Sequence, residues 1–264
     1  MLLKNIYSSS LLRAKIKAAL IHLSITATLA VLVVLAVNHF WFPYGTLRFL
    51  KGWEIFLVLI ACDIVLGPAL SLVIFNQNKQ RRERIIDYSV IAAVQLAALF
   101  YGLHMLSQNR LAFLVYTVDR YEAVSAGDLS KEEMAKAPNP KWRNLSYVEN
   151  YVVAVQPPDA TQADFFSMVF SGLENKDLQF FPSLYRELDT VHPPIRDRIQ
   201  SIDALSPQAQ DVLRSVISKL NIKNQNNVGW LPLSRERVFW TILVDKNTGK
   251  PIHALAIDPY LNGA

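Results

Sequence analysis

WEIFLVLIACDIVLGPALSLVIF, residues 53–75, decides the fold. A helix needs about 20 apolar residues to cross a bilayer at roughly 1.5 Å rise each, and this run supplies them. At its centre stands Asp63. A charged side chain at mid-bilayer costs on the order of 3 kcal/mol, so this carboxyl is expected to face protein or water, or to stay protonated. Pro68 cannot donate to the carbonyl of Ile64, and Gly67 beside it lets another backbone approach closely. The spacing predicts a spanning helix with a polar, kinkable face.

Similar apolar runs lie on either side, at about 18–42 and 88–106, so the sequence predicts three spans within 18–106. Residues 1–17 mix Leu2, Leu3, Ile6, Leu12 and Ile16 with Lys4, Arg13, Lys15 and Lys17, the pattern of an amphipathic lead-in at an anionic membrane surface. The first span is too long for the apolar core of a signal peptide and has no small-x-small cleavage site, so it reads as retained. Trp41, Phe42, Tyr44 and Trp53 border the loop between spans one and two, where interfacial aromatics are expected. Loop charge sets the orientation. Four Lys/Arg precede span one, four (Lys79, Arg81, Arg82 and Arg84) follow span two, and the intervening loop holds only Arg48 and Lys51. Basic loops stay in the cytoplasm, so the N-terminus is expected inside and residues 107–264 outside the cytoplasm, which is the periplasm if the source is a Gram-negative bacterium.

The composition agrees: 52% of the 264 residues are hydrophobic, too many for a soluble chain of this size. Residues 1–106 carry ten Lys/Arg against four Asp/Glu, and residues 107–264 carry 17 against 18, so the basic pI belongs to the membrane half. That distribution argues against a nucleic-acid partner, whose binding needs positive charge on a folded surface. The single cysteine, Cys62, lies inside the central run and allows neither an intramolecular disulfide nor a cysteine-based metal site. Counted from their outer ends, Asp63 and Gln95 fall at nearly the same depth, and a hydrogen bond between them is expected as interhelical glue or as a patch that receives another protein's helix.

Asp63, Gly67, Pro68 and Leu70, then Lys79, then DYSVIAAVQLAALFYG at 87–102 with its Q-x-x-A-L-x-Y-G pattern (Gln95, Ala98, Leu99, Tyr101, Gly102), resemble the signature of bacterial type IV pilin accessory proteins of the TfpX/TfpZ type. The likeness continues through LAFLVYTVDRYEAV (111–124) and WLPLSRERVFWTILVDKNTGKPIHALAIDPY (230–260), with Ser71 departing from the Thr expected after Gly-Pro. The resemblance implies an inner-membrane protein, associated with a pilin and supporting its assembly into surface fibres, with no catalysis and no cofactor. Its implied partners are the major pilin and the pilus assembly platform.

Residues 107–264 suffice for one α+β domain. Leu111–Asp119 and Tyr151–Val155 read as strands, and Ser130 with Glu133 as a capping box before a loop set by Pro138 and Pro140. Helices are expected from Asp159 or Thr161 to Gly172 and from Ser206-Pro207 to near Leu220, with a polar loop at 221–227. Arg237–Val244, the turn DKNTGK and Pro251–Ile257 make a C-terminal hairpin. Trp230 and Trp240 read as core residues or as a docking face.

No P-loop, dinucleotide-binding glycine pattern, H-E-x-x-H or G-x-S-x-G is present. Asp63 has no second carboxylate within the membrane, which argues against aspartyl proteolysis. Two other classes stay open. His39 and His104, both near the outer ends of their spans, suit a bis-histidine haem in a membrane redox protein. A membrane sensor with a periplasmic ligand domain is the other, although its cytoplasmic loop of about 12 residues is short for an output element. His192 and His253 read as structural or exposed.

Overall fold

LAFLVY at 111–116 is a continuous apolar run rather than an alternating one, the pattern of a strand covered on both faces. In the computed structural model, which describes residues 2–61, 80–156, 177–222 and 224–260, this run is strand β1 (Leu111–Tyr116), buried at all six positions. It lies inside a seven-stranded mixed sheet. The other strands are β2 (Tyr121–Ser125), β3 (Tyr151–Val155), β4 (Tyr185–Arg186), β5 (Val228–Arg235), β6 (Val238–Asp245) and β7 (Pro251–Leu255). Their order is β4-β3-β1-β2-β5-β6-β7, with β1–β3 and β2–β5 parallel and the remaining pairs antiparallel.

One face of β1–β3, with Phe113, Val115, Val124, Val153 and Val155, packs on Met134, Trp142 and Tyr185. Met134 ends the short helix Lys131–Met134, whose Ser130 cap accepts from Glu133 N at 3.2 Å as its sequence leads one to expect. Helix Pro207–Lys219 starts at the predicted Ser206-Pro207. Its Ala209, Leu213 and Ile217, spaced four apart on one face, cover Val228, Trp230, Leu243 and Leu255. By register, Leu114, Tyr121, Leu233, Ile242 and Trp240 share the opposite face. The C-terminal hairpin forms as predicted, with Asp245 Oδ1 accepting from Asn247 N at 3.0 Å and Thr248 N at 2.9 Å and Gly249 at φ +70°. The helix expected between Asp159 and Gly172 lies outside the described residues.

Strands β2, β4 and β5 and the β5–β6 turn carry no strong sequence signal, and the β5–β6 connection shows why. Arg235 pairs with Val238 across a two-residue turn in which Glu236 (φ 48°) and Arg237 (φ 69°) are both left-handed. Such turns are normally written with Asn or Gly, so a Glu-Arg pair carries no local signal, and β6 begins at Val238 rather than Arg237. Arg235, at the start of the turn, makes a two-point ion pair to Asp128, at 3.0 and 3.3 Å.

The N-terminal region is helical. Residues 2–40 contain no Gly or Pro, and the lead-in and the first span form one unbroken helix, α1 (Leu2–Phe40). It stops three residues before Pro43, which disfavours helix at Phe42. Helix α2 (Gly52–Ala61) follows, then α3 (Arg81–Asn109), whose start is capped by Glu83 Oε2 accepting from Gln80 N at 3.3 Å. Two of these, at Ala19–Phe40 and Arg81–Asn109, are long and apolar enough to cross a bilayer. Only 6% and 17% of their apolar windows are buried, unlike the core helix of a soluble protein. Of the three spans expected, the middle one is represented by ten residues of helix, Gly52–Ala61, and the rest of 53–75 lies outside the described residues.

The chain divides into two compact units: Met1–His39 with Lys51–Ser107, and Phe40–Leu50 with Gln108–Ala264. The loop between α1 and α2 thus packs with the sheet rather than standing as a simple interfacial turn. Phe42 and Leu50 are each 1% exposed, Phe49 packs at a tilt against Trp240 with ring centroids 5.1 Å apart, and Trp41 O accepts from Leu111 N at 2.9 Å. Gly45, at φ +78°, lies so close to the His253 ring that a Cβ would meet its Cε1 at 2.7 Å.

Candidate functional site

The helical unit contains an apolar cleft of ≈ 580 Å³ bounded by all three helices. Ile21, Ile25, Leu29 and Val33 line it from α1, Phe56 and Leu59 from α2, and Ile91, Leu96 and Leu99 from α3. The lining recurs at 21, 25, 29 and 33 on α1 and at 88, 92, 95 and 99 on α3, steps of three or four residues that put it on one stripe of each helix. The third wall is brought near by Gly102. A Cβ there would come within 2.0 Å of Leu59 Cδ1, so α3 needs glycine to meet α2 at this level.

Four lining residues carry polar groups: His22, Thr26, Tyr88 and Gln95. Thr26 turns its hydroxyl back to its own helix, donating to the carbonyls of His22 and Leu23 at 3.1 Å. His22 and Gln95 meet across the cleft, Nε2 to Oε1 at 3.0 Å, joining α1 to α3. In an apolar environment such a bond fixes register between helices, with a contribution of about 0.6 to 2 kcal/mol.

Of the residues singled out from sequence, Gln95 lines the cleft and Gly102 shapes it. Tyr101 is 69% exposed and is not among the lining residues. Asp63, Gly67, Pro68 and Lys79 lie outside the described residues, and with them the expected Asp63–Gln95 bond. Arg81 and Arg82 are exposed in the first turn of α3 with Arg84 half-exposed beside them. His39 and His104 are both exposed and neither lines the cleft. Sequence reasoning passed over His22. The signal was present in its spacing, since His22 precedes Ile25, Thr26 and Leu29 on the cleft stripe.

The sheet unit has its own cavity, ≈ 790 Å³, with Tyr44, Tyr151, His192, Arg196 and Lys250 among its lining. Charges of both signs line it, Glu187 and Asp189 included. His253 is half-buried, and burial lowers its pKa. Trp230 is core, 8% exposed, with Nε1 donating to Ser201 O at 2.9 Å. Glu122, on β2, is pushed up to about 7 by burial, against a hydrogen bond from Ser234 and the nearby Arg120 that favour the charged form. Among the described residues no group of three His, Cys, Asp or Glu side chains is placed to hold a metal ion.

Comparison with known proteins bears out the resemblance read from the spans. The chain is 26% identical over 234 residues to a fimbrial assembly protein, serogroup I, of Dichelobacter nodosus, covering 86% of this chain and 89% of that protein. It is 25% identical, with the same coverage, to the serogroup E1 fimbrial assembly protein. A third, of serogroups C1 and C2, is 29% identical over 117 residues, 44% of this chain and 89% of the relative. No protein-family model matches the chain, and no solved structure does.

Proposed function

We propose that this protein is a membrane-embedded, non-enzymatic factor in pilus assembly that receives the apolar helix of a type IV pilin in the cleft between α1, α2 and α3. The cleft is the observation that carries the reading. It is apolar, long in the direction of the helices and striped at helical spacing, the form a helix-in-groove partner needs. The relatives, named for fimbrial assembly, support the biological setting. In this reading the sheet unit touches the pilin's globular head.

The proposed topology is three spans, with the N-terminus cytoplasmic and the sheet unit periplasmic. Membership of the two units supports it. The last residue of α1 and the last two of α3 belong to the sheet unit, so two membrane-crossing helices would both end on that unit's side. The chain must then recross between Leu50 and Arg81, where residues 53–75 are apolar enough to do so. The basic residues before Ala19 and at Arg81, Arg82 and Arg84 would face the cytoplasm.

The test is photo-crosslinking in cells that make the pilin. Crosslinkers at Ile25 and Leu96, which line the cleft, should capture pilin, whereas crosslinkers at Val31 and Phe100, exposed but off the cleft, should not. Equal yields from the four sites, or none, would overturn the cleft assignment. A clean deletion should lower surface pili while pilin persists in the membrane, and normal fibres in its absence would remove the assembly role.

A further inference from the structure

The sheet unit carries an exposed loop fastened to both places where an apolar helix ends. Trp41 is the first residue after α1, and its Nε1 donates to Tyr147 O at 2.8 Å. Arg110 is the first residue after α3; its Nε donates to Ser146 O at 3.2 Å, and its guanidinium lies 4.4 Å from the centre of the Tyr147 ring. Arg110 is itself 4% exposed, so it positions the loop rather than offering its charge to solvent. Ser146 Oγ tightens the tip by accepting from Val148 N and Glu149 N, at 3.1 and 3.0 Å. Held in this way, Tyr147 and Val148 remain 61% and 62% exposed.

We infer that Tyr147 and Val148 form a lipid-contacting anchor of the sheet unit, seated in the interfacial layer of the bilayer. The inference rests on the membrane-spanning reading of α1 and α3. Arg110 follows the last apolar residue of the third span, Leu106, by four residues, about 6 Å at helical rise. The polar layer on each side of a bilayer is about 5 to 8 Å thick, so a loop bonded to Trp41 and Arg110 falls at its depth. Its chemistry matches that depth: Trp41 and Tyr147 are the residue types that collect at membrane interfaces, and Val148 supplies an apolar tip. The occupant is lipid rather than a protein partner because the loop's position is set by the two helix ends and not by a groove or a complementary charge.

The test uses the full chain with Cys62→Ser, single cysteines at Val148, Leu35 or Val118, and an environment-sensitive fluorophore at each. The protein is reconstituted in phosphatidylethanolamine–phosphatidylglycerol vesicles containing nitroxide lipids labelled at the headgroup or deep in the acyl chain. Leu35, 62% exposed on α1, reports on the spanning helix, and Val118, 61% exposed in the β1–β2 turn, is the control at the far end of β1. The Val148 probe should be quenched at least threefold more by the headgroup nitroxide than the Val118 probe, and Leu35 most by the deep nitroxide. Quenching of Val148 no greater than that of Val118, with Leu35 quenched, would overturn the anchor alone. A blue-shifted but unquenched Val148 probe would mean that protein covers the loop and would also overturn it. An unquenched Leu35 would remove the anchor together with the membrane reading.

Discussion

The two units of this molecule use apolar side chains in opposite ways. On α1 and α3, Leu20, Ile25, Leu35, Val94 and Phe100 are between 56% and 67% exposed. In the sheet, Phe113, Leu114, Val115, Leu233 and Ile242 are at 0%. The same residue types face out in one unit and in at the other, the distribution that the proposed membrane-spanning reading of α1 and α3 requires. Against lipid an outward Leu loses nothing, and helices satisfy their backbone internally; against water the sheet must bury both faces. The segment Phe40–Leu50 belongs to the second regime although it sits between two apolar helices in sequence.

That contrast can be broken most sharply at Phe42. Phe42→Ala should cost about 3 to 5 kcal/mol, the range for emptying a fully buried aromatic site, measured as a lowered urea midpoint of the sheet unit in detergent. A change under 1 kcal/mol would mean that the loop is not part of the core. Next in size is Glu122. Its carboxyl is neutral more readily in the fold than in the unfolded chain, so its stabilising share is complete below about pH 4.5 and is lost as pH rises through about 7. Glu122→Gln should therefore stabilise the sheet unit at pH 8 by up to ~3 kcal/mol while leaving stability at pH 4 nearly unchanged. Equal effects at both pH values would contradict the buried-acid account.

Two smaller effects probe the helical unit. Gly102→Leu should force α3 away from Leu59, costing about 1 to 3 kcal/mol and reducing disulfide capture between cysteines placed at Phe56 and Leu99. Unchanged capture would show that the close approach is dispensable. Leu35→Ala, on the exposed face of α1, should shift thermal stability in detergent by no more than about 0.5 kcal/mol. A loss of 2 kcal/mol or more would place Leu35 in a packed interface and weaken the lipid-facing reading of that helix.

Much of the sheet was legible in advance because its signals are local. Tyr151–Val155, the Ser206-Pro207 helix start and the DKNTGK turn each depend on a few neighbouring residues. Strand β2, strand β5 and the left-handed Glu236-Arg237 turn escaped because their stabilising partners are distant, Ser125 and Asp128 for Arg235 among them. The candidate site divided in the same way. Gln95 and Gly102 stood out as a polar residue and a small one within apolar runs. Their partners, His22 and Leu59, lie more than 40 residues away in sequence.

By itself the chain determined where apolar helices can form, that none of its Gly or Pro residues interrupts the first 40, and which loops are basic, since hydropathy, helix propensity and charge act through composition over short windows. Only the tertiary structure decided that Phe40–Leu50 completes the sheet unit, that His22 rather than a residue near it meets Gln95, and that the Ser146–Val148 loop is tied to the ends of two helices. Those outcomes depend on which distant surfaces exclude solvent together, and a buried face is chosen by the best fit among all available partners.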